Sequence, residues 1–384
     1  MTEKLFYADA HMRKFTARVL SCEERGKLYA VTLDRTAFFP EGGGQGGDIG
    51  TLGGVQVTDT REENGEIVHF CASPLTLGAE VTGEIDWETR FARMQIHSAE
   101  HLVSGHAHSL WGCENIGFHM DEHGATIDFD RELDAEQLAQ LERLANEAVW
   151  QNLPINILWP TEEELAVLPF RQKKALTMPV RIVEVPGVDR CACCAPHVSF
   201  TGEIGLIRLK DRMRHRGGVR FTMLAGRTAY EDAALCAAET EALSRLFSAP
   251  QNALCTAAER VLGELEAEKY QRAAAERRYV EARLAALAPY EGNRLFFENG
   301  LSSAALRALA EGGKTRCTGA CAALCAEDGG YRYVMASESV DLRAAAKNIN
   351  AALFGRGGGA PGMIQGSLHA SREQIEEYFH GKIG

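Results

Sequence analysis

Arg93-Met94-Gln95-Ile96-His97-Ser98-Ala99-Glu100-His101 sets two histidines four residues apart. The next run, Leu102-Val103-Ser104-Gly105-His106, has no proline, and its apolar spacing predicts a helix. On a helix, positions i and i+4 share one face, so both imidazoles can address one metal ion. Two ligands rarely complete a site. The others are expected from Cys191-Ala192-Cys193-Cys194-Ala195-Pro196-His197, the one other place where Cys and His crowd together. A nitrogen and sulfur set of this kind suits tetrahedral Zn²⁺.

Two other readings of the same stretch stand beside this one. A histidine pair at helical spacing is more often a core or surface feature than a ligand pair. His97-Ser98-Ala99-Glu100-His101 also fits H-x-x-E-H, the inverted-zincin motif of certain metalloproteases. That reading needs a carboxylate ligand further along the chain.

Composition and charge bound the rest. The chain has 384 residues, enough for two or three domains, and 45% of them are apolar. No window approaches the ~18 apolar residues of a membrane span. Met1-Thr2-Glu3-Lys4-Leu5 has no signal-peptide core behind it. Eleven scattered cysteines then predict thiols and metal ligands in a reducing cytoplasm rather than a disulfide framework. A net charge of −12 argues against a general polyanion-binding surface. One local run reverses it: Arg208, Lys210, Arg212, Arg214, His215, Arg216 and Arg220, around a lone Asp211. Arg171, Lys173 and Lys174 form a smaller basic group. A solvated face is the ordinary meaning of such runs, but density of this order in an acidic chain favours a phosphate partner.

Residues 1–90 predict short strands in a small antiparallel β-barrel, with strands at Tyr29–Leu33, Val55–Thr58 and Ile67–Phe70 and a turn at Asn64-Gly65. Thr36-Ala37-Phe38-Phe39-Pro40-Glu41-Gly42-Gly43-Gly44-Gln45-Gly46-Gly47-Asp48 lies among them. Its glycines mimic a dinucleotide fingerprint, but they lead into a strand-like run and not a helix, so no dinucleotide site is implied. Closely spaced glycines let a substrate approach the backbone, and Thr36 and Gln45 can supply hydrogen bonds to it.

Residues 91–225 predict an α+β unit carrying the histidine helix. Strands are expected near 117–120, 126–129 and 180–185, and Asp134 and Thr161 are expected to cap helices. Residues 226–290 read as a helical linker broken at Pro250, a spacer or dimer arm with Leu254, Ala258, Val261 and Leu265 in a short seam. Residues 291–384 predict a small α/β domain. In it Cys317, Cys321 and Cys325 read as one buried strand face, and Gly355–Gly366 comes after a helix, which again excludes a Rossmann unit.

Three motifs together resemble one family. They are the Thr36–Asp48 loop, His97-x-x-x-His101, and Cys193-x-x-x-His197 followed by Val198-Ser199-Phe200-Thr201-Gly202-Glu203-Ile204-Gly205. As an ordered set they look like the editing module of alanyl-tRNA synthetase. Gly355–Gly366 resembles the DHHA1 domain, a nucleic-acid-binding module. The whole chain is therefore similar to the long form of the freestanding alanyl-tRNA editing proteins, the AlaX family. The resemblance implies a zinc-dependent hydrolase that removes serine or glycine from mischarged alanine tRNA. It places the zinc ligands at His97, His101, Cys193 and His197. The synthetase usually has Cys-Gly-Gly-Thr-His where this chain has Cys193-Cys194-Ala195-Pro196-His197, so Cys191 and Cys194 are alternatives for the thiolate. Thr36 and Gln45 are expected to bind substrate. Arg212, Arg214, Arg216 and Arg356 are expected to contact RNA. Glu100, the nearest acid, is the candidate base, with a solvent-facing position as its alternative. A homodimer would form through the C-terminal half. A metalloprotease and a non-catalytic RNA-binding protein with structural zinc are the rival functions.

Overall fold

Alternation of buried and exposed side chains builds the first element of the fold. Along β1 (Lys14–Arg25), Phe15, Ala17 and Val19 point inward while their neighbours face out. The computed structural model describes residues 2–121, 123–172 and 178–380. Lys173 and Lys174 of the smaller basic group lie outside the described residues. β2 (Leu28–Leu33), β3 (Gly50–Leu52), β4 (Val55–Glu63), β5 (Glu66–Cys71) and β6 (Glu80–Ile85) complete the set. They close an antiparallel barrel in the order β1-β2-β5-β4-β3-β6. Val19, Val31, Leu33, Leu52 and Val57 fill its interior. Closure removes the exposed strand edges that such short strands would otherwise present.

The histidine helix is α1 (Trp87–Trp111). Asp86 caps it by accepting the Thr89 N–H at 3.0 Å, and left-handed Gly112 (φ 61°) ends it. Its apolar stripe of Met94, Ala99, Leu102, Val103 and Ala107 packs on the four-stranded sheet β12-β13-β8-β7. That sheet comprises β7 (Asn115–Asp121), β8 (Gly124–Phe129), β12 (Ile207–His215) and β13 (Gly218–Ala225). Helix α2 (Ala135–Gln151), started by the Asp134 capping box, packs into the same core through Leu138, Leu141 and Ala145. A second sheet, β9-β10-β11, runs through Asn156–Leu158, Ile182–Val185 and Asp189–Ala192. Between β9 and β10 a short helix, Glu162–Val167, carries the expected Thr161 capping box.

The chain divides into two compact units, residues 1–241 and 242–384. Helix α3 (Arg227–Phe247) runs across the division, and α4 (Leu254–Ala285) comes after Pro250. The second unit holds a five-stranded sheet in the order β14-β15-β16-β18-β17. Its strands are β14 (Arg294–Glu298), β15 (Ala320–Glu327), β16 (Gly330–Ser337), β17 (Arg356–Ala360) and β18 (Met363–Leu368). β14 and β15 are parallel and the other pairs antiparallel. Alternate residues of β15 feed two cores. Ala320, Ala322 and Leu324 meet α6 (Leu342–Ala352) and α7 (Arg372–His380); Cys321, Ala323 and Cys325 meet α5 (Ser303–Lys314). Cys321 and Cys325 are thus packing residues. Gly355–Gly366 forms the β17–β18 hairpin. In α4 the expected seam is not buried: Val261 and Leu265 are 39% and 47% exposed.

Candidate metal centre

An ion pair and a set of bonds to backbone carbonyls fix the glycine-rich loop against α1. Buried Arg90 pairs with buried Asp48 and also donates to the Ala37 and Ala10 carbonyls. Asp48 in turn accepts the Phe39 N–H at 2.7 Å. One turn on, Arg93 donates to the Gly46 and Gly47 carbonyls at 3.2 and 2.7 Å. Gly44 sits at φ 84°, and a Cβ there would come within 2.7 Å of the Phe118 carbonyl oxygen. Only glycine meets both conditions. The loop therefore presents Gln45 inward, 1% exposed, with Oε1 3.1 Å from His97 Nδ1.

On α1, His97 and His101 face the same way, and the strand that ends at Ala192 delivers Cys193 and His197 opposite them. The ligand atoms of His97, His101, Cys193 and His197 all lie within 4.8 Å of one another. Cys193 Sγ is 3.5 Å from His97 Nε2 and 3.3 Å from His197 Nε2. A tetrahedral zinc with ordinary Zn–N and Zn–S bonds would set nitrogen and sulfur about 3.5 Å apart. The donor set and its spacing fit that ion.

Each imidazole is held by its outer nitrogen. Asp189 Oδ2 lies 2.8 Å from His101 Nδ1, and Ser98 Oγ lies 3.0 Å from His197 Nδ1. With the Gln45 contact to His97, all three Nδ1 atoms have acceptors and all three Nε2 lone pairs can face the centre. Such outer partners fix the tautomer and the ring orientation of metal-ligating histidines. Arg171 forks onto Asp189 at 2.7 and 2.9 Å. Gly105 permits this approach, since a Cβ there would meet the Val188 carbonyl oxygen at 2.6 Å.

The electrostatics agree with a cation position. Burial would raise the Cys193 thiol, but the facing imidazoles of His97 and His197 hold it well below the usual thiol range. Burial pushes His197 down to about 3, which keeps its ring neutral. At His101 burial works downward too, but the bonds to Asp189 and Cys193 outweigh it and lift the group to about 10. Cys191 is buried, and that burial pushes its thiol up. It groups with His101 and Asp189 but not with the other two histidines. Cys194 is exposed. Of the three thiols, Cys193 is the one gathered with all three rings.

Other expected residues fall elsewhere. Thr36 is fully buried, and its hydroxyl bonds His69 Nε2 at 2.8 Å and accepts the Phe38 N–H at 3.1 Å. Glu100 does not face solvent as the alternative reading had it. It is 2% exposed, and its Oε1 accepts from Ser104 Oγ at 2.6 Å and from Asn115 Nδ2. Arg171, read from sequence as part of a phosphate-facing group, is spent on Asp189, because a carboxylate buried at 2% side-chain exposure needs a fixed cation beside it. The longer basic run forms the β12–β13 hairpin and is partly neutralised by acids from neighbouring segments. Arg208 and Lys210 pair with Asp232, Arg214 with Glu132, and Arg220 with Asp128. Arg212 donates to the Leu133 carbonyl at 3.2 Å, Arg216 sits at a turn with φ 48°, and Arg356 is exposed on β17. Asp189, Ser98 and the Arg90–Asp48 pair were not singled out in the sequence. No local pattern marks them, since the contacts that tie Arg90 to Asp48, Ser98 to His197 and Asp189 to His101 span 42, 99 and 88 residues.

A barrel whose glycine loop leans on a helix bearing a His/Cys centre defines a class shared with parts of certain synthetases. A family model described as threonyl and alanyl tRNA synthetase second additional domain matches residues 180–221, and one described as tRNA synthetases class II (A) matches residues 2–89. The chain is 34% identical over 239 residues to the alanyl-tRNA editing protein AlaX-M of Saccharolobus solfataricus, covering 58% of this chain and 99% of that protein. It is 33% identical to the alanyl-tRNA editing protein Aarsd1 of Bos taurus over 52% of this chain and 49% of that one. It is 37% identical to an alanine–tRNA ligase of Pyrobaculum arsenaticum over 59% of this chain and 27% of the ligase. The chain thus spans about a half or less of those two longer relatives. It belongs to the alanyl-tRNA editing protein family.

Proposed function

We propose that the chain is a zinc-dependent hydrolase acting in trans on alanine tRNA that carries serine or glycine. One observation carries this reading: three imidazoles with fixed outer nitrogens and one thiolate converge beside a glycine loop whose glutamine retains an unused donor. Gln45 Nε2 is buried and has no hydrogen-bond partner among the described residues. Buried donors without partners are rare and point to an absent acceptor. A substrate carbonyl or hydroxyl fits that description.

When bound, zinc would help orient the aminoacyl group, and it would polarise the ester carbonyl or a water only by expanding its coordination beyond four. His97, His101, Cys193 and His197 are assigned as its ligands. Since four protein ligands leave no open position, the residues around it are assigned to hold the aminoacyl group while a nearby water attacks. Gln45 donates to that group. Thr36 is assigned to the serine hydroxyl, with a hydroxyl lone pair as the acceptor it still has. Phe38 and Phe39, 0% and 2% exposed, keep the loop side dry. Glu100 is assigned as the proton acceptor on the strength of its burial beside the ligand pair. A metalloprotease of the inverted-zincin type would need a carboxylate ligand, and Cys193 with His197 take that place.

The finer division into residues 1–90, 91–225, 226–290 and 291–384 belongs to this proposal. So do the assignments of 291–384 as a DHHA1-like nucleic-acid-binding module, of Arg212, Arg214 and Arg216 in the second segment and Arg356 in the last as tRNA contacts, and of the C-terminal half as a homodimer contact. Counterion release predicts tRNA affinity that falls steeply with salt. No helix among the described residues is long and apolar enough to cross a membrane. Deacylation of Ser-, Gly- and Ala-charged alanine tRNA, run side by side, tests the reading. Hydrolysis of the first two but not the third is expected, and no hydrolysis of either would overturn it.

A further inference from the structure

Arg181 is a buried cation that no carboxylate among the described residues pairs. It is 7% exposed, and its NH1 donates to the Cys193 and Ala195 carbonyls at 2.8 and 2.9 Å. Its Nε is buried with no acceptor among the described residues. The titratable groups that act on it are the Cys193 and Cys194 thiols and the Tyr7 phenol, and burial raises the last two, which keeps them uncharged. Of these, Cys193 is already assigned to the metal. A guanidinium left in this state costs free energy unless a partner arrives.

One ring lies against the guanidinium, and a second extends from it. The Arg181 guanidinium sits 5.5 Å from the centroid of the Tyr7 ring. Tyr7 meets Trp159 edge to face at 5.4 Å, and Trp159 is 47% exposed. A large aromatic left open beside a reactive centre is a stacking surface in waiting. The glycine loop borders this spot as well: a Cβ at Gly43 would lie 3.6 Å from His97 Cε1 and 3.7 Å from Cys194 Sγ. Arg181 thus joins the metal position, through the carbonyls of Cys193 and Ala195, to the Tyr7 ring and the exposed Trp159 beyond it.

Resting on the proposed function, we propose that Arg181, Tyr7 and Trp159 form the subsite for the last nucleotide of the RNA. Trp159 and Tyr7 stack on its base, and Arg181 takes the phosphodiester on its 5′ side. The ester to be cut is on the ribose of that nucleotide, so base and phosphate must lie within one nucleotide of the metal. A phosphodiester supplies the charge that Arg181 lacks, and a base supplies the flat face that Trp159 lacks.

The test uses the full chain and two uncharged alanine-tRNA minihelices, one ending in CCA and one lacking the terminal adenosine. Binding is read from fluorescence anisotropy of labelled RNA, with zinc content measured on every variant. The wild-type protein is expected to prefer the complete RNA about tenfold. Trp159→Ala should abolish that preference while leaving zinc content and affinity for the shortened RNA unchanged. Arg181→Gln, which keeps donors for the two carbonyls, should lose most of the preference and make the salt dependence shallower by about one phosphate contact. If wild type hydrolyses Ser-charged tRNA and Trp159→Ala keeps the full preference, the subsite is overturned and the proposed function stands. If wild type hydrolyses neither Ser- nor Gly-charged tRNA, both fall together.

Discussion

Asp189 Oδ2 stands 2.8 Å from His101 Nδ1, and both side chains are 2% exposed. The carboxylate holds the imidazole so that Nε2 faces Cys193, and Arg171 holds the carboxylate. Asp189→Asn keeps the shape and removes the charge. Loss of such an outer partner typically lowers metal affinity ~10–100-fold. Chelator competition on the purified variant should show a drop of that order with the fold intact by circular dichroism.

The four-ligand arrangement predicts one zinc per chain. Metal analysis of His97→Ala and Cys193→Ala should find little zinc in either, while Cys191→Ala and Cys194→Ala should keep it. Full occupancy in both of the first two would move the site.

Thr36 and His69 form a buried pair in the barrel. Thr36→Val removes the hydroxyl and leaves His69 Nε2 unpaired, a loss of about 1–3 kcal/mol. Urea denaturation should register it. If the hydroxyl also reads the substrate, hydrolysis of Ser-tRNA should slow about two- to tenfold more than that of Gly-tRNA. Equal slowing would confine Thr36 to supporting the loop.

The same histidine makes stability depend on pH. Burial pushes His69 down to about 4 from an ordinary 6.5. The folded state therefore binds fewer protons than the unfolded one between those values, and stability falls as pH drops through that window. The full effect is on the order of 3 kcal/mol. Denaturation midpoints taken from pH 7 to pH 4 should decline less steeply in His69→Gln than in the wild-type chain.

Arg90 and Asp48 are each 1% exposed. Breaking a buried pair by removing one partner costs ~3–5 kcal/mol, because the other charge is left alone. Asp48→Asn should lower stability by about that much. It should also free the glycine loop, which would appear as faster hydrogen exchange at Phe39, whose N–H bonds Asp48.

Short-range chemistry in the chain was enough to set the local elements and the ligand pair. The strand at Tyr29–Leu33, the Asp134 and Thr161 caps and the Asn64-Gly65 turn are readable within a few residues. His97 and His101 were legible because a helix turns i and i+4 to one side. Packing in three dimensions chose which of Cys191, Cys193 and Cys194 joins them, since adjacent strand-end residues point to different sides. It assigned Arg171 to Asp189 and not to a phosphate. It buried Glu100 between Ser104 and Asn115, a position that helix periodicity near two ligands does not predict. It also put Arg181 against Tyr7, 174 positions apart in the chain, where the one has no carboxylate partner among the described residues and the other an open neighbour in Trp159. Charges and rings find partners through space, and the chain order carries no record of which distant residues will meet.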